Sequence, residues 1–265
     1  MRTIESIVSS IVLLSLSLVS CKKQLSSREN ISQAIKNKIL GLGFSPARIQ
    51  KIDEGYLIEG DILVSNSDLD SRPQTRLLRI AGNEQYRTFN LLTALPRTLT
   101  ISLSNQFPFA YGLALDEAIK RYNTENLQIH FQRANTNGDI EILKTPGNFI
   151  GAAGLPSASE TPARTIKLNP IYIGNGSSSS FINYITTLIA HEIGHCIGFR
   201  HTDYMNRSFS CQGRPVNEGT GNAGAINISG TPTGFDSGSW MLACIAINQN
   251  RPFNENDKIA LRYLY

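Results

Sequence analysis

The stretch HEIGHCIGFRH, from His191 to His201, constrains this chain more than any other. It contains three of the chain's four histidines. Residues four apart lie on one face of a helix, so His191 and His195 present their imidazoles side by side. Gly198 can adopt a left-handed conformation that ends the helix and lets His201 approach from another direction. The spacing therefore predicts a three-histidine metal site at the end of a helix.

Three imidazoles with a fourth position left open are typical of a catalytic zinc ion, not of a closed structural one. Glu192 follows the first histidine and is predicted to project into the same cleft, where a carboxylate can act as general base. The alternative is a metal-free cluster of helix histidines with satisfied hydrogen bonds. The fourth histidine, His130, is predicted to be a packed or solvent-facing strand residue and not a ligand.

The pattern H-E-x-x-H-x-x-G-x-x-H resembles the zinc signature of the metzincin metallopeptidases. The strings HEIGHCIGFRHTD, GTPTGFD and DKIALRYLY are similar to the bacterial HEIGH metallopeptidases, over residues 98–265. The resemblance implies an α+β fold in which a twisted mixed sheet with helices lies above the zinc helix, and a Met-turn and a C-terminal helix lie below. It implies one catalytic zinc ion, a Met-turn at Met241 and a peptide or protein substrate.

The same resemblance implies roles for three further parts of the chain. The strand at Thr165–Leu168 is expected to be the sheet edge that pairs with an extended substrate. Asp203 is expected to accept a hydrogen bond from a ligand imidazole, with an ordinary surface aspartate as the alternative. Astacins carry a tyrosine that stabilises the oxyanion where this chain has Ala243, so that contribution is expected to be missing.

Hydrophobic periodicity predicts the remaining elements. Helices are predicted over residues 31–41, 109–123, 181–197 and 254–265, strands over 98–103, 127–132, 139–143 and 165–168, and a loop over 147–162.

The N-terminus is predicted to be an export signal. An apolar stretch from Ile7 to Val19 is too short for a membrane span and is interrupted by serines. It ends in Leu-Val-Ser-Cys, which resembles the lipobox of bacterial lipoproteins and implies a signal peptide at residues 1–20 and a lipid on Cys21. This predicts a protein anchored in the cell envelope, at the outer membrane or cell surface, and the alternative is an ordinary secretory signal.

Charge and cysteine content limit the partners. The net charge of +4, without a long basic run, gives no indication of nucleic-acid binding, and we expect a monomer. Outside the cytoplasm one disulfide is expected among the three cysteines that follow Cys21. Cys211 and Cys244 are one candidate pair, and Cys196 is either buried or the alternative partner.

Residues 21–95 are predicted to be a tether and a small prosegment-like region, before a peptidase domain at 96–265. The segment YLIEGDI, from Tyr56 to Ile62, is similar to the F-x-G-D-I motif of astacin prosegments, in which the aspartate binds zinc and blocks the enzyme. The similarity implies that Asp61 is a zymogen zinc ligand, although Ile58 replaces the phenylalanine. The alternative is a strand bulge at Gly60–Asp61.

Activation of such a zymogen would require cleavage after Asp61. A polar, turn-rich linker is an easy target for proteases. The candidate positions are Arg72, Arg76, Arg79 and Arg87.

These observations predict an exported, lipid-anchored zinc endopeptidase that is made as a zymogen latched by Asp61. A competing hypothesis is a surface lipoprotein that binds a polymer around a structural zinc ion, without turnover. A third is a self-inhibited binding protein whose Asp61 segment never leaves.

Overall fold

The computed structural model describes residues 30–70, 85–215, 217, 225–232 and 234–265. The signal peptide, Cys21 and the candidate cleavage positions Arg72, Arg76 and Arg79 lie outside the described residues. None of the helices within the described ranges has the length and apolar character needed to cross a membrane.

The N-terminal region, residues 31–70, folds into a helix, a three-stranded meander and a short second helix. Ser32 caps the first helix by accepting a hydrogen bond from the Ile35 amide, and apolar residues such as Ile39 and Ile58 form a small core of their own. The elements are α1 (Gln33–Gly41), β1 (Gln50–Ile52), β2 (Gly55–Ile58), β3 (Ile62–Ser65) and α2 (Asn66–Asp70).

The rest of the chain supplies one large core and the zinc-motif helix. The elements up to that helix are β4 (Tyr86–Arg87), β5 (Arg97–Leu103), α3 (Phe109–Asn123), β6 (Ile129–Ala134), β7 (Ile140–Lys144), β8 (Gly151–Ala153), β9 (Thr165–Leu168), α4 (Pro170–Ile173) and α5 (Ser179–Cys196). They are followed by β10 (Phe199–Arg200), a 3-10 turn (Arg207–Phe209), β11 (Ile226–Asn227) and α6 (Glu255–Leu264). The predicted α+β fold is confirmed, with helices α3 and α5 packed on a mixed sheet.

The main sheet has the strand order β1-β2-β3-β8-β9-β7-β5-β6. Strands β9, β7, β5 and β6 are parallel neighbours, β8 runs antiparallel to β9, and β3 pairs parallel with β8. The N-terminal meander therefore extends the sheet formed by the rest of the chain. A single register pair, Ile62 with Ala153, and a hydrogen bond of 2.8 Å from the Ala153 amide to the Asp61 carbonyl join the two.

Two predictions for this sheet were wrong. Residues 147–162 are not all loop, because β8 forms inside them, and Thr165–Leu168 is an interior strand between β8 and β7, not the edge. Strand β8 is Gly-Ala-Ala, which has no alternation of apolar and polar residues and low intrinsic strand propensity. Strand β8 is extended because its backbone pairs with a neighbouring strand on each side. No local sequence pattern predicts this pairing.

Arg87 does not lie in a loose linker. Strand β4 pairs with both β10 and β11, and Arg87 stands opposite Phe199 and Ile226 in this three-stranded sheet. A protease needs extended, accessible backbone, so this paired position is a poor cleavage site.

Candidate metal centre and active site

Helix α5 places the first two histidines of the motif. The Ser178 side chain caps the helix by accepting from the Phe181 amide, and the helix is buried along most of its length. The rings of His191 and His195 have centroids 4.7 Å apart. The structure thus brings these imidazoles together as the i, i+4 spacing predicts.

Gly198 turns the chain towards the third histidine. Its φ of 106° is left-handed, and a Cβ atom there would lie 2.8 Å from Leu91 Cδ2, so glycine suits the position for two reasons. After this turn the His201 ring lies 5.4 Å from that of His191 and 4.9 Å from that of His195, between centroids. All three rings are buried and face one point.

Backbone carbonyls orient the imidazoles of α5. His191 Nδ1 lies 2.9 Å from the Trp240 carbonyl oxygen, and His195 Nδ1 lies 2.9 Å from that of Phe199. A carbonyl oxygen can only accept, so each Nδ1 carries the proton and each Nε2 keeps its lone pair for a metal.

Asp61 completes the cluster from the N-terminal region. Its Oδ2 lies 3.0 Å from His201 Nε2 and 3.6 Å from His191 Nε2, and its Oδ1 lies 4.0 Å from His195 Nε2. One ligand atom from each of the four residues falls within 4.8 Å of the others. Four donors from such distant parts of the chain meet at a single point.

This cluster fits a zinc ion. Within the described chain, His195 Nε2 and Asp61 Oδ1 are buried and make no hydrogen bond, which is costly for polar atoms unless something else binds them. Imidazole nitrogens and a carboxylate oxygen are the donors that zinc takes in tetrahedral sites. Three histidines and Asp61 would fill all four coordination positions of a tetrahedral zinc ion, and without Asp61 one coordination position would be open.

Burial and neighbouring charges shift the pKa values of Asp61 and His195. Desolvation alone would raise the pKa of Asp61, but His201 and His191 hold it well below its usual range. Burial, and the neighbouring His191 and His201, lower the pKa of His195 well below its usual range. A carboxylate and a neutral imidazole are the protonation states that bind metal.

Glu192 lies beside the cluster and against strand β8. A Cβ atom at Gly151 would lie 2.4 Å from Glu192 Oε1, so only glycine leaves room for this carboxylate. Glu192 Oε2 is buried and has no hydrogen-bond partner among the described residues. Burial, and next the Asp61 charge, raise the pKa of Glu192 well above its usual range. Glu192 also lines the same cavity as Asp61, Gly151 and His191.

The segment predicted to be the Met-turn lies under the zinc-motif helix. A Cβ atom at Gly194 would lie 2.6 Å from Met241 Sδ, so the helix packs directly on this methionine. The Trp240 indole donates to the Ala190 carbonyl at 3.3 Å, and the Thr202 amide donates to the Met241 carbonyl at 3.0 Å. These contacts fix the floor beneath the three imidazoles.

Asp203 does not bind a ligand imidazole. Its carboxylate accepts from the Ser210 amide and hydroxyl and from the Ala243 amide, at 3.2, 2.6 and 2.9 Å. Asp203 is fully buried, so the alternative of a surface aspartate is wrong as well. Its hydrogen bonds join the loop after the third histidine to the segment after the Met-turn. Predicting this role would require knowing which loops meet in the folded chain.

A disulfide crosses the same two segments. Cys211 and Cys244 are bonded, with Cα atoms 5.2 Å apart, and Cys196 is a buried free thiol. The disulfide covalently links the loop after the third histidine to the segment after the Met-turn, which forms one wall of the cleft.

Removing this disulfide is expected to destabilise the protein. The bond closes a loop of 33 residues, for which loop-closure entropy gives about 3–4 kcal/mol. We expect the Cys211→Ser, Cys244→Ser double variant to lose up to this amount of unfolding free energy, measured by urea denaturation. Cys196→Ser would be an unsuitable control because that thiol is buried in the core, so a reduced wild-type sample is the comparison. An unchanged midpoint in both would contradict the expectation.

Three charged residues that sequence reasoning missed, Glu59, Arg200 and Arg207, hold the Asp61 segment in place. Glu59 Oε1 accepts from Arg200 Nη2 at 2.5 Å with both side chains buried, and Glu59 Oε2 lies 3.9 Å from His201 Nδ1. Arg207 donates to the Glu59 carbonyl, and the Arg200 guanidinium lies over the Phe44 ring at 4.5 Å. The one available signal was Arg200 itself, a charge inside the otherwise apolar run that leads to His201.

Comparison with protein families gives a match over most of the chain. The model of the family described as dual-action HEIGH metallo-peptidase matches residues 56–265, which include the Asp61 segment and the three histidines. A search of curated proteins gave no match.

Several solved structures are similar at low identity. A crystal structure of myroilysin is 13% identical with a TM-score of 0.39, and the match covers 64% of this chain and 83% of that one. A second myroilysin structure is 16% identical with a TM-score of 0.33, covering 43% and 54%. High choriolytic enzyme 1, a hatching enzyme zinc-protease from the medaka fish Oryzias latipes, is 19% identical with a TM-score of 0.28, covering 39% and 44%. The chain thus spans about half the length of the latter two.

Proposed function

We propose that this chain, which belongs to the HEIGH metallopeptidase family and is a zinc metallopeptidase, is an endopeptidase. In this proposal His191, His195 and His201 hold the zinc ion, and Glu192 is the general base. The observation that supports this most is the convergence of three buried imidazoles beside a buried carboxylate with a free oxygen. A purely structural site would have no use for that carboxylate. The second and third hypotheses, both without turnover, give Glu192 no role; the third shares the placement of Asp61 with the latch, and hydrolysis after nicking separates the two.

The residues divide the chemistry as follows. Zinc bound by three imidazoles supplies Lewis acidity, which makes water a nucleophile near neutral pH and polarises the peptide carbonyl. Glu192 takes a proton from the attacking water and passes it to the leaving amine. The carbonyls of Trp240 and Phe199 keep His191 and His195 in the tautomer that leaves Nε2 unprotonated.

Strand β8 is proposed to bind the substrate backbone. It lies directly beside Glu192, and its outer edge is the one paired with β3. An extended peptide that replaced β3 would gain main-chain hydrogen bonds and would bring its carbonyl next to the metal. Since Ala243 occupies the place of the astacin tyrosine, no phenol is proposed to assist from that side.

The N-terminal region is proposed to be an inhibitory latch. With Asp61 as the fourth ligand and β3 on the β8 edge, neither water nor a peptide could use the site while this region stays in place. Lys167 of β9 pairs with Glu54 at 2.6 Å, and the buried Glu59–Arg200 pair adds a second attachment. Cleavage within residues 71–84, followed by withdrawal of the segment, would open the cleft.

Export and anchoring are proposed on the sequence of residues 1–21. The Cys211–Cys244 disulfide is compatible with this, because such bonds persist mainly outside the cytoplasm. The protein would then be a monomer held in the cell envelope by lipid on Cys21. Cell fractionation of a Cys21→Ala variant tests the anchor, and unchanged membrane association would contradict it.

The test of the proposed function is peptide hydrolysis by the purified protein that begins at residue 22. Activity is measured with and without a chelator, before and after limited trypsin treatment. We expect zinc-dependent cleavage that appears after nicking. Zinc-dependent cleavage without nicking would support the endopeptidase function and contradict the latch. No cleavage of a broad peptide library, despite bound zinc, would remove the endopeptidase function.

A further inference from the structure

A cavity of about 240 Å³ lies next to Glu192. Its walls are mostly apolar side chains from β8's flank, helix α5 and the segment after the Met-turn, among them Phe149, Leu188, Leu242 and Ile245. Pockets for drug-sized ligands measure roughly 300–1,000 Å³, so this one has room for a single side chain. A side chain placed here would belong to a residue whose backbone lies at the scissile bond.

The cavity has an unusual charge at its wall. Arg251 lines it and is only 7% exposed. Its guanidinium donates to two neutral oxygens, the Cys244 carbonyl at 3.2 Å and Gln249 Oε1 at 3.3 Å. Its Nε is buried without a hydrogen-bond partner, and no carboxylate of the described chain forms an ion pair with it. A buried cation that lacks a counter-ion is unfavourable unless a ligand supplies one.

The nearest carboxylates outside the cavity are already occupied. Asp203 accepts from Ser210 and Ala243, Asp236 accepts from amides of Gly238, Asn254 and Asn256, and Asp257 accepts from Gln85, Trp240 and Asn254. These three carboxylates affect Arg251 only through electrostatic attraction at longer range, without a hydrogen bond to its guanidinium. The two carboxylates inside the cavity are Asp61 and Glu192, which the proposed function assigns to the latch and to proton transfer.

A second guanidinium lines the same cavity. Arg207 donates to the Glu59 carbonyl, and a Cβ atom at Gly60 would lie 3.0 Å from Arg207 Nη2. Withdrawal of the Asp61 segment therefore exposes this donor group to the cavity as well. The open cleft would present two cations around a pocket with apolar walls, which suits a side chain that has methylene groups and a terminal carboxylate.

We propose that this cavity holds an acidic side chain of the peptide substrate, glutamate in particular, and that Arg251 is the residue that selects it. The inference rests on the proposed peptidase function and names the substrate class of that site. The carboxylate would accept from Arg251, with Arg207 as a second donor. Charge-assisted hydrogen bonds in a site shielded from water are strong enough to discriminate a carboxylate from its neutral isostere.

The experiment compares matched peptides in the form of the protein that cleaves. A library that varies one position at a time, with cleavage sites mapped by mass spectrometry, identifies the position that prefers acidic residues. Peptides with Glu or Gln at that position then give the ratio of the two kcat/KM values. We expect a ratio of about ten or more for the wild type, a ratio near one for Arg251→Gln, and a largely retained preference for Arg251→Lys.

The ratio is independent of the fraction of variant protein that is folded, so partial misfolding of Arg251→Gln does not affect it. Arg262→Gln, on the exposed face of α6, is the matched control and should keep the wild-type ratio. Equal cleavage of both peptides by the wild type, or an unchanged ratio in Arg251→Gln, would overturn the inference alone. Failure to cleave any peptide would remove the proposed function as well.

Discussion

Replacing Glu192 with glutamine is expected to abolish peptide hydrolysis while the protein keeps its fold and its zinc. Glutamine has the same shape, so it fills the space beside Gly151. It cannot take up the proton of the attacking water, however, and general base catalysis contributes about 10²–10⁴-fold to rate. We expect kcat to fall by at least about a hundredfold. Hydrolysis of a fluorogenic peptide by the activated protein measures this, and zinc content is determined on the same sample.

The matched control is Glu117→Gln, which changes a partly exposed glutamate on helix α3 in the same way. It should retain wild-type turnover and zinc. Substantial residual activity in Glu192→Gln would show that another group moves the proton. Loss of zinc together with activity would instead indicate that Glu192 supports the metal site and would leave its catalytic role unsupported.

Replacing Asp61 with alanine is expected to make the full-length protein active without proteolysis. The carboxylate lies 3.0 Å from His201 Nε2 and is tethered, so it acts at an effective concentration on the order of millimolar. With Asp61 as the proposed fourth ligand, its loss would open that position to water. Strand β3 still pairs with β8, so substrate access stays restricted and activity should remain below that of nicked protein. We expect an increase of about tenfold or more over the intact wild type.

The control for this prediction is Asp53→Ala, an exposed aspartate between β1 and β2 in the same region of the chain. It should remain as inactive as the wild type until nicked. If Asp61→Ala shows no activity before trypsin and normal activity after it, strand pairing and the Glu59–Arg200 ion pair alone suffice for inhibition. If the intact wild type is already fully active, the latch hypothesis fails.

The metal motif and the helices were accessible from the sequence because their signals are local. The spacing of His191 and His195 follows from helix periodicity, and the left-handed turn at Gly198 follows from the requirement for glycine. Helix α3 was predicted with its observed bounds, since its apolar residues recur at helical spacing. The resemblance to HEIGH metallopeptidases, which the family match confirms, depended on these same residues.

Other assignments failed because they depend on which distant segments meet. Strand β8 has a sequence with no strand pattern and exists through its partners β3 and β9, so β9, which was expected to be the sheet edge, lies inside the sheet. Asp203 was expected near an imidazole, yet it binds Ser210 and Ala243, because only the folded chain brings those amides to it.

The sequence by itself determined the chemistry of this protein: three imidazoles, a neighbouring carboxylate and the helix and turn that present them. Tertiary structure decided what surrounds that chemistry. It brought Asp61 to within 3.0 Å of His201, buried Glu59 against Arg200 and left Arg251 beside the cleft without an ion-pair partner among the described residues. The physical reason is that ligand spacing within one helix and turn is set by local backbone geometry, whereas burial, ion pairing and strand partners depend on contacts between segments far apart in the chain.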